Sequence, residues 1–318
     1  MVCLCGCTFR QEAPPLAFTV ESLTAASLRV AAVAGWARYE WTFGDGTQAE
    51  GRTANHTYSA PGEHTINLKA VDAEGSASYA NQIVTVRRDI YVSEDRSFPR
   101  DYVTIQLAIE AAEPGDMILI EGEHVENVTV DKPITLRGPC TLISVTAAPA
   151  VHITADGVTL EKIAFEGGGD EATAGGALRI TSADPVVTEC TFDNHSGGSG
   201  GAVYVMESGA LFSACVFTRN QADIDGGAVY CEGDRAFPTF VECRFSDNRA
   251  NAGGGIAIRP TTVVEPDATP LRVEECVFQR NEAAGTQAGG AIHIGHSCSA
   301  VLGSNTFTAN GPLDVAEE

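Results

Sequence analysis

Two short acidic stretches carry the side chains best suited to chemistry. Asp223 and Asp225 stand in Ala-Asp-Ile-Asp-Gly, and Glu232, Asp234 and Arg235 in Cys-Glu-Gly-Asp-Arg. Paired carboxylates are the groups used in general acid–base hydrolysis or in holding calcium, and an adjacent arginine can hold an anionic group. Asp223 and Asp225 are the pair to which calcium would be assigned; no cofactor is otherwise required. Turn carboxylates in an acidic chain are more often simply solvated, so these five are candidates for ligand binding and no residue is given a catalytic role. The histidines His195, His293 and His296 are scattered, and His293 alternates with Ile292 and Ile294, which turns it outward.

Both stretches interrupt a repeat. Cys215-Val-Phe217-Thr-Arg-Asn220 precedes Gly226-Gly-Ala-Val-Tyr230; Cys243-Arg-Phe245-Ser-Asp-Asn248 precedes Gly253-Gly-Gly-Ile; Cys276-Val-Phe278-Gln-Arg-Asn281 precedes Gly289-Gly-Ala-Ile-His293. The Phe marks fall at 165, 192, 217, 245, 278 and 307. Runs such as Val-Tyr-Val and Ile-Ala-Ile alternate and are β-branched, a strand pattern. Units of this length bury an apolar face only by stacking at the strand spacing of about 4.8 Å, which predicts a solenoid of parallel strands. Phe and the Cys two residues before it then share the inward side. Asn is expected in a left-handed conformation at a corner, with its amide bonding from coil to coil, and Gly-Gly makes a tight corner. In the first copy Asn194 comes one position early, so His195 takes the ladder site.

Thr104 is a candidate N-cap for a helix over about 104–113, with Ile105, Ala108, Ile109 and Ala112 on one face and Pro114-Gly115 ending it. Such a helix would cover the first coil, and Ile90-Tyr-Val92 could add a strand there. The run from Tyr102 to Gly138 resembles the N-terminal cap of right-handed parallel β-helices of the pectin-lyase-like superfamily. The Phe-x-x-Asn and Gly-Gly-Ala-Ile marks resemble the repeats of chlamydial-type polymorphic outer membrane proteins. That resemblance implies a fold hosting lyases, hydrolases, esterases and non-catalytic surface proteins alike.

Residues 16–88 lack the repeat. Strand-like alternation in Phe18–Val20, Leu28–Val30, Tyr39–Phe43, His64–Val71 and Ile83–Val86, with Gly44-Asp-Gly46 and Pro61-Gly62 as turns, predicts a small β-sandwich. Trp41-Thr-Phe-Gly-Asp-Gly46 and His56-Thr-Tyr58-Ser-Ala-Pro-Gly62 resemble the PKD domain, which implies an Ig-like sandwich acting as a spacer or weak binder. Trp41 and Phe43 are expected in its core, and Asp45 is expected to cap its turn. The whole is thus an all-β chain: a segment 1–15, the sandwich over 16–88, and a right-handed parallel β-helix with a capping helix over 89–318.

A net charge of −22, with only three lysines among 20 basic residues, leaves no basic stripe for nucleic acid. No stretch is long and apolar enough to span a membrane as a helix. The ten cysteines are read mainly as a file of small core residues; ladder geometry does not suit the disulfide torsion. Leu4-Cys-Gly-Cys7 resembles a bacterial lipobox, with Cys7 as the acylated residue and a lipid anchor as the consequence, although no basic and apolar leader precedes it. The expected function is a non-catalytic secreted or cell-surface protein whose β-helix face binds carbohydrate or surface partners. The alternatives are a polysaccharide lyase or glycoside hydrolase, and a structural piece of a longer surface protein.

Overall fold

The computed structural model describes residues 15–22, 26–94, 101–145, 148–169, 174–260, 270–285, 288–296 and 298–317. Cys7 lies outside them. The chain divides into two compact units at Arg88/Asp89.

The first unit is an antiparallel sandwich. Strands β1 (Phe18–Ser22), β2 (Ser27–Ala32) and β5 (Thr53–Thr57) form one sheet; β3 (Arg38–Thr42), β4 (Gln48–Glu50), β6 (Gly62–Val71) and β7 (Ala77–Val86) form the other, in the order β4-β3-β6-β7. The short polar β4 and β5 carry little alternation and were not foreseen. Trp41 and Phe43 are buried, as expected, with Val30, Ile66 and Leu68. Asp45 does cap its turn: it accepts from the Thr47 amide at 3.0 Å and the Thr47 hydroxyl at 2.6 Å, and its other oxygen meets His56 Nε2 at 2.8 Å. Partial burial opposes its ionisation, but the bonds from Thr47 and His56 outweigh it and hold the carboxyl down to about 2. The stability it contributes is therefore present above the unfolded carboxyl value near 4 and is lost as the pH falls toward 2. Asp45→Ala should cost the sandwich about 1–2 kcal/mol at neutral pH, and thermal melts should show the difference from wild type closing in that acid window.

The second unit is the right-handed solenoid. Strand β8 (Asp89–Ser93) pairs in parallel with Met117–Val125, extending the first coil at its edge. Helix α1 (Ile105–Ala111) follows, capped by the Thr104 side chain and by the Glu126 carboxylate, which accepts from the Ile105 and Gln106 amides at 2.8 and 3.2 Å. Its buried Ile105, Ala108 and Ile109 join the solenoid core. It ends two residues earlier than expected, because Ala112 is already extended.

Among the described residues one lateral sheet has eight parallel strands, including Leu178–Thr181, Val203–Met206, Val229–Glu232, Ile256–Arg259 and Gly289–Ile294. Two further rows of short strands, typified by Leu211–Ser213 and Val216–Thr218, merge through Thr159–Glu166, which pairs with both. Inside, Phe165, Phe192, Phe217, Phe245, Phe278 and Phe307 stack in one file; the closest pair has centroids 4.6 Å apart and planes 2° from parallel. Phe212 and Phe240 form a second file at 5.0 Å. Cys190, Cys215, Cys243 and Cys276 are buried free thiols beside them. Each donates to the carbonyl two residues earlier at 3.3–3.4 Å, and burial pushes the Cys190 thiol up to about 12.

The asparagine ladder is continuous. Each Nδ2 donates to the carbonyl of the Phe one coil back, as Asn220 to Phe192 at 3.0 Å and Asn248 to Phe217 at 3.0 Å. Each Oδ1 accepts the backbone amide of the previous rung, through Asn220, Asn248, Asn281 and Asn310. His195 holds the first rung, its amide donating to Asn220 Oδ1 at 3.0 Å. The left-handed residue is not the ladder Asn, as expected from sequence, but its predecessor: Asn194, Arg219, Asp247, Arg280 and Ala309, with φ between 53° and 60°. A second such corner precedes each Cys, at Glu189, Ala214, Glu242 and Glu275. The third corner is Gly-Gly. A Cβ on Gly227 would sit 2.3 Å from the Gly254 carbonyl oxygen, so only glycine lets successive coils approach there.

Candidate functional site

The register of the lateral sheet lines up the middle residue of each strand. Leu178-Arg-Ile, Val203-Tyr-Val, Val229-Tyr-Cys, Ile256-Ala-Ile and Ile292-His-Ile place Arg179, Tyr204, Tyr230, Ala257 and His293 in one row, which His152 continues. Their neighbours point into the core, so this row stands on the outer face.

The row is crowded. The Arg179 guanidinium carbon lies 5.4 Å from the Tyr204 ring centroid, and Tyr204 and Tyr230 are 5.7 Å apart. Tyr204, Tyr230 and Ala257 pack as a small cluster of their own, with Met206 and Ala174 against it. His293 faces away from the core as its alternation predicts, yet it is buried rather than exposed. The Tyr204 hydroxyl donates to Glu232, and Arg259 Nε meets Asp225 Oδ2 at 2.7 Å. Burial, then Glu232 and Asp225, push the Tyr230 hydroxyl up to about 12. Burial and neighbouring Arg179 lower the pKa of His152, whose Nε2 is 3.2 Å from Thr181 Oγ1. Arg179 has no carboxylate partner among the described residues, and its buried Nε has no acceptor.

The five residues singled out from sequence separate. Asp225 and Glu232 belong to this face, each already engaged. Asp223 is exposed at the corner, and its carbonyl accepts from Asn251 Nδ2 at 2.8 Å. Asp234 and Arg235 sit on the connection beyond the strand, where their backbone amides donate to the Glu207 carboxylate at 3.3 and 3.0 Å. Among the described residues no three His, Cys, Asp or Glu side chains gather as a metal site. The residues that sequence reading passed over, Arg179, Tyr204 and Tyr230, carried a signal: they share one column when the strands are aligned on the Gly-Gly mark.

A separate groove of ≈ 540 Å³ lies at the asparagine corner, lined by Ile143, Glu166, Gly167, Asp193, Asn194 and Arg219. Arg219 pairs with Asp193 there, and Arg280 with Asp247 two coils on at 2.7 Å. Opposite charges alternate along that corner and neutralise one another.

A PKD domain model matches residues 19–87, and a right-handed β-helix region model matches residues 121–310. No curated protein matches the chain. Among solved structures, the PKD1 domain of Vibrio anguillarum Epp is 20% identical, with a TM-score of 0.22, covering 24% of this chain and 94% of that one. The PKD1 domain from Vibrio cholerae metalloprotease PrtV is 18% identical, with a TM-score of 0.22, covering 22% and 93%. The pectin methylesterase from Aspergillus niger is 16% identical, with a TM-score of 0.48, covering 72% of this chain and 89% of that one. These likenesses concern fold and carry no argument about activity. The β-helix match spans more than half of the 318 residues, and the chain belongs to the right-handed β-helix family.

Proposed function

We propose that this is a non-catalytic binding protein, secreted or held at a cell surface, whose lateral β-helix face takes an extended carbohydrate, with the PKD domain as a spacer. The observation that carries the reading is Arg179 lying over Tyr204 with no carboxylate partner among the described residues, in a row with His152 and Tyr230. An aromatic surface beside an unspent fork of donors suits the mixed apolar and hydroxyl faces of a sugar. Tying up Asp225 with Arg259 and Glu232 with Tyr204 favours holding a ligand over acid–base work on it. A glycan-array screen with and without calcium tests this. Arg179→Ala should weaken any glycan bound by about tenfold or more, the worth of a charge-assisted hydrogen bond, without moving the melting temperature by more than about 2 °C. Equal affinity of the variant for every bound glycan would sink the reading.

One observation favours the enzymatic alternative: an arginine and two carboxylates do share one face. A uronate-release assay run beside the array distinguishes the two. Turnover lost in both Asp225→Asn and Glu232→Gln would replace the binding reading with a polysaccharide lyase or hydrolase.

A further inference from the structure

Strand β7 is ten residues long, lies at the edge of its sheet, and pairs only with β6 among the described residues. Its sequence, Ala-Ser-Tyr-Ala-Asn-Gln-Ile-Val-Thr-Val, contains no charge and no proline. Edge strands ordinarily carry one or the other to prevent strand addition, since a bare row of amides and carbonyls templates pairing with another chain. Tyr79 and Ile83 are 72% and 62% exposed, the two most exposed large apolar side chains among the described residues. They stand on the same face of β7, on either side of Asn81.

That arrangement is its own complement. Setting β7 antiparallel to a second β7 about a twofold axis through Asn81 places Tyr79 opposite Ile83 of the second copy, Ile83 opposite its Tyr79, and Asn81 opposite Asn81. An aromatic paired across strands with a β-branched residue is a favourable combination, and two facing amides can bond to each other. Tyr79, Asn81 and Ile83 are all exposed in one copy. We infer that the β7 edge is an interface between two copies of this chain, joining the two four-stranded sheets into one of eight strands. A twofold interface must be self-complementary, and this strand meets that condition in its side-chain and amide pairing.

Analytical ultracentrifugation of the full chain, from about 1 to 200 µM, reads the association directly, because a dimer grows with concentration. The expected mass rises from 33.3 kDa toward twice that value. Asn81→Lys sets two like charges face to face at the axis and should weaken the dimer about tenfold or more. Gln48→Lys, on the opposite edge strand β4, should leave it unchanged. Asn81→Cys should give an intermolecular disulfide on mild oxidation, above the wild-type background. Both Asn81 variants alter an exposed side chain, and circular dichroism checks that they fold. A chain that stays monomeric throughout overturns the inference, as does a dimer sensitive to Gln48→Lys but not to Asn81→Lys.

Discussion

Asn248→Ala should destabilise the solenoid by about 4 kcal/mol, against less than about 1 kcal/mol for Asn251→Ala three residues away. The residue type is the same and the surroundings differ. Asn248 is fully buried. Its Nδ2 donates to the Phe217 carbonyl at 3.0 Å and to Asn281 Oδ1 at 2.9 Å, while its Oδ1 accepts from the Asn220 amide at 2.9 Å and from Asn220 Nδ2 at 3.0 Å. Truncation leaves four buried polar groups short of a partner, and no water replaces them in a dry interior. Asn251 makes one exposed bond to Asp223, which solvent can replace. Urea unfolding followed by circular dichroism gives both values; a shift for Asn248→Ala no larger than that for Asn251→Ala would show that the ladder does not hold the coils together.

The second large effect is a loss of stability in acid that originates at His195. This residue occupies a rung designed for an amide, is fully buried, and its ring nitrogens face the Phe165 carbonyl and the Gly168 backbone without reaching hydrogen-bonding geometry with either. Burial pushes its pKa down to about 4, whereas a histidine in the unfolded chain titrates near 6.5. Between those values the unfolded state binds the proton and the folded state does not. Stability is therefore complete above about pH 6.5 and falls as the pH drops to about 4, by up to roughly 3 kcal/mol. His195→Asn removes this titration and places an amide where it can donate to the Phe165 carbonyl and Asn220 Oδ1. The variant should be the more stable protein at pH 7 by about 1 kcal/mol, with the gap widening toward pH 4. Parallel pH profiles for the two proteins would place the acid sensitivity elsewhere.

The architecture was legible because its determinants recur. Phe, Cys, Asn and Gly-Gly each return at one position per coil, and each does one physical job that its chemistry announces. The left-handed corners were assigned one residue late because the regular residue is not the strained one. Arg219, Asp247, Arg280 and Ala309 share no side-chain character. The cost of a left-handed non-glycine residue, about 1 kcal/mol or more, is met by the stack on either side, so composition does not mark it. The lateral row was hidden for a different reason. Alternation within Val203-Tyr-Val or Ile292-His-Ile says which side a residue faces, but its environment depends on residues one coil away, from 25 residues between Arg179 and Tyr204 to 36 between Ala257 and His293. Glu232 finds Tyr204, and Arg259 finds Asp225, only once the register is fixed. Asp223 and Asp225, two apart in sequence, end in unlike surroundings because the corner between them turns.

The spacing between ladder rungs varies from 25 to 28, 33 and 29 residues, yet the Phe file runs on unbroken. Part of the variation falls in the connections that leave the lateral strands, such as residues 207–210 and 233–238. Lengthening such a connection costs little, about 0.6 kcal/mol per doubling. Selection can therefore rewrite the exposed parts of these segments, which begin next to Met206 and Glu232, while the corners and the buried Ala210, Ala236 and Phe237 stay fixed. A library randomised over Asp234 and Arg235 alone, which leaves the buried Ala236 and Phe237 in place, should retain the fold in most members. The solenoid is in that sense a frame with one editable margin, and the margin borders the face proposed to bind.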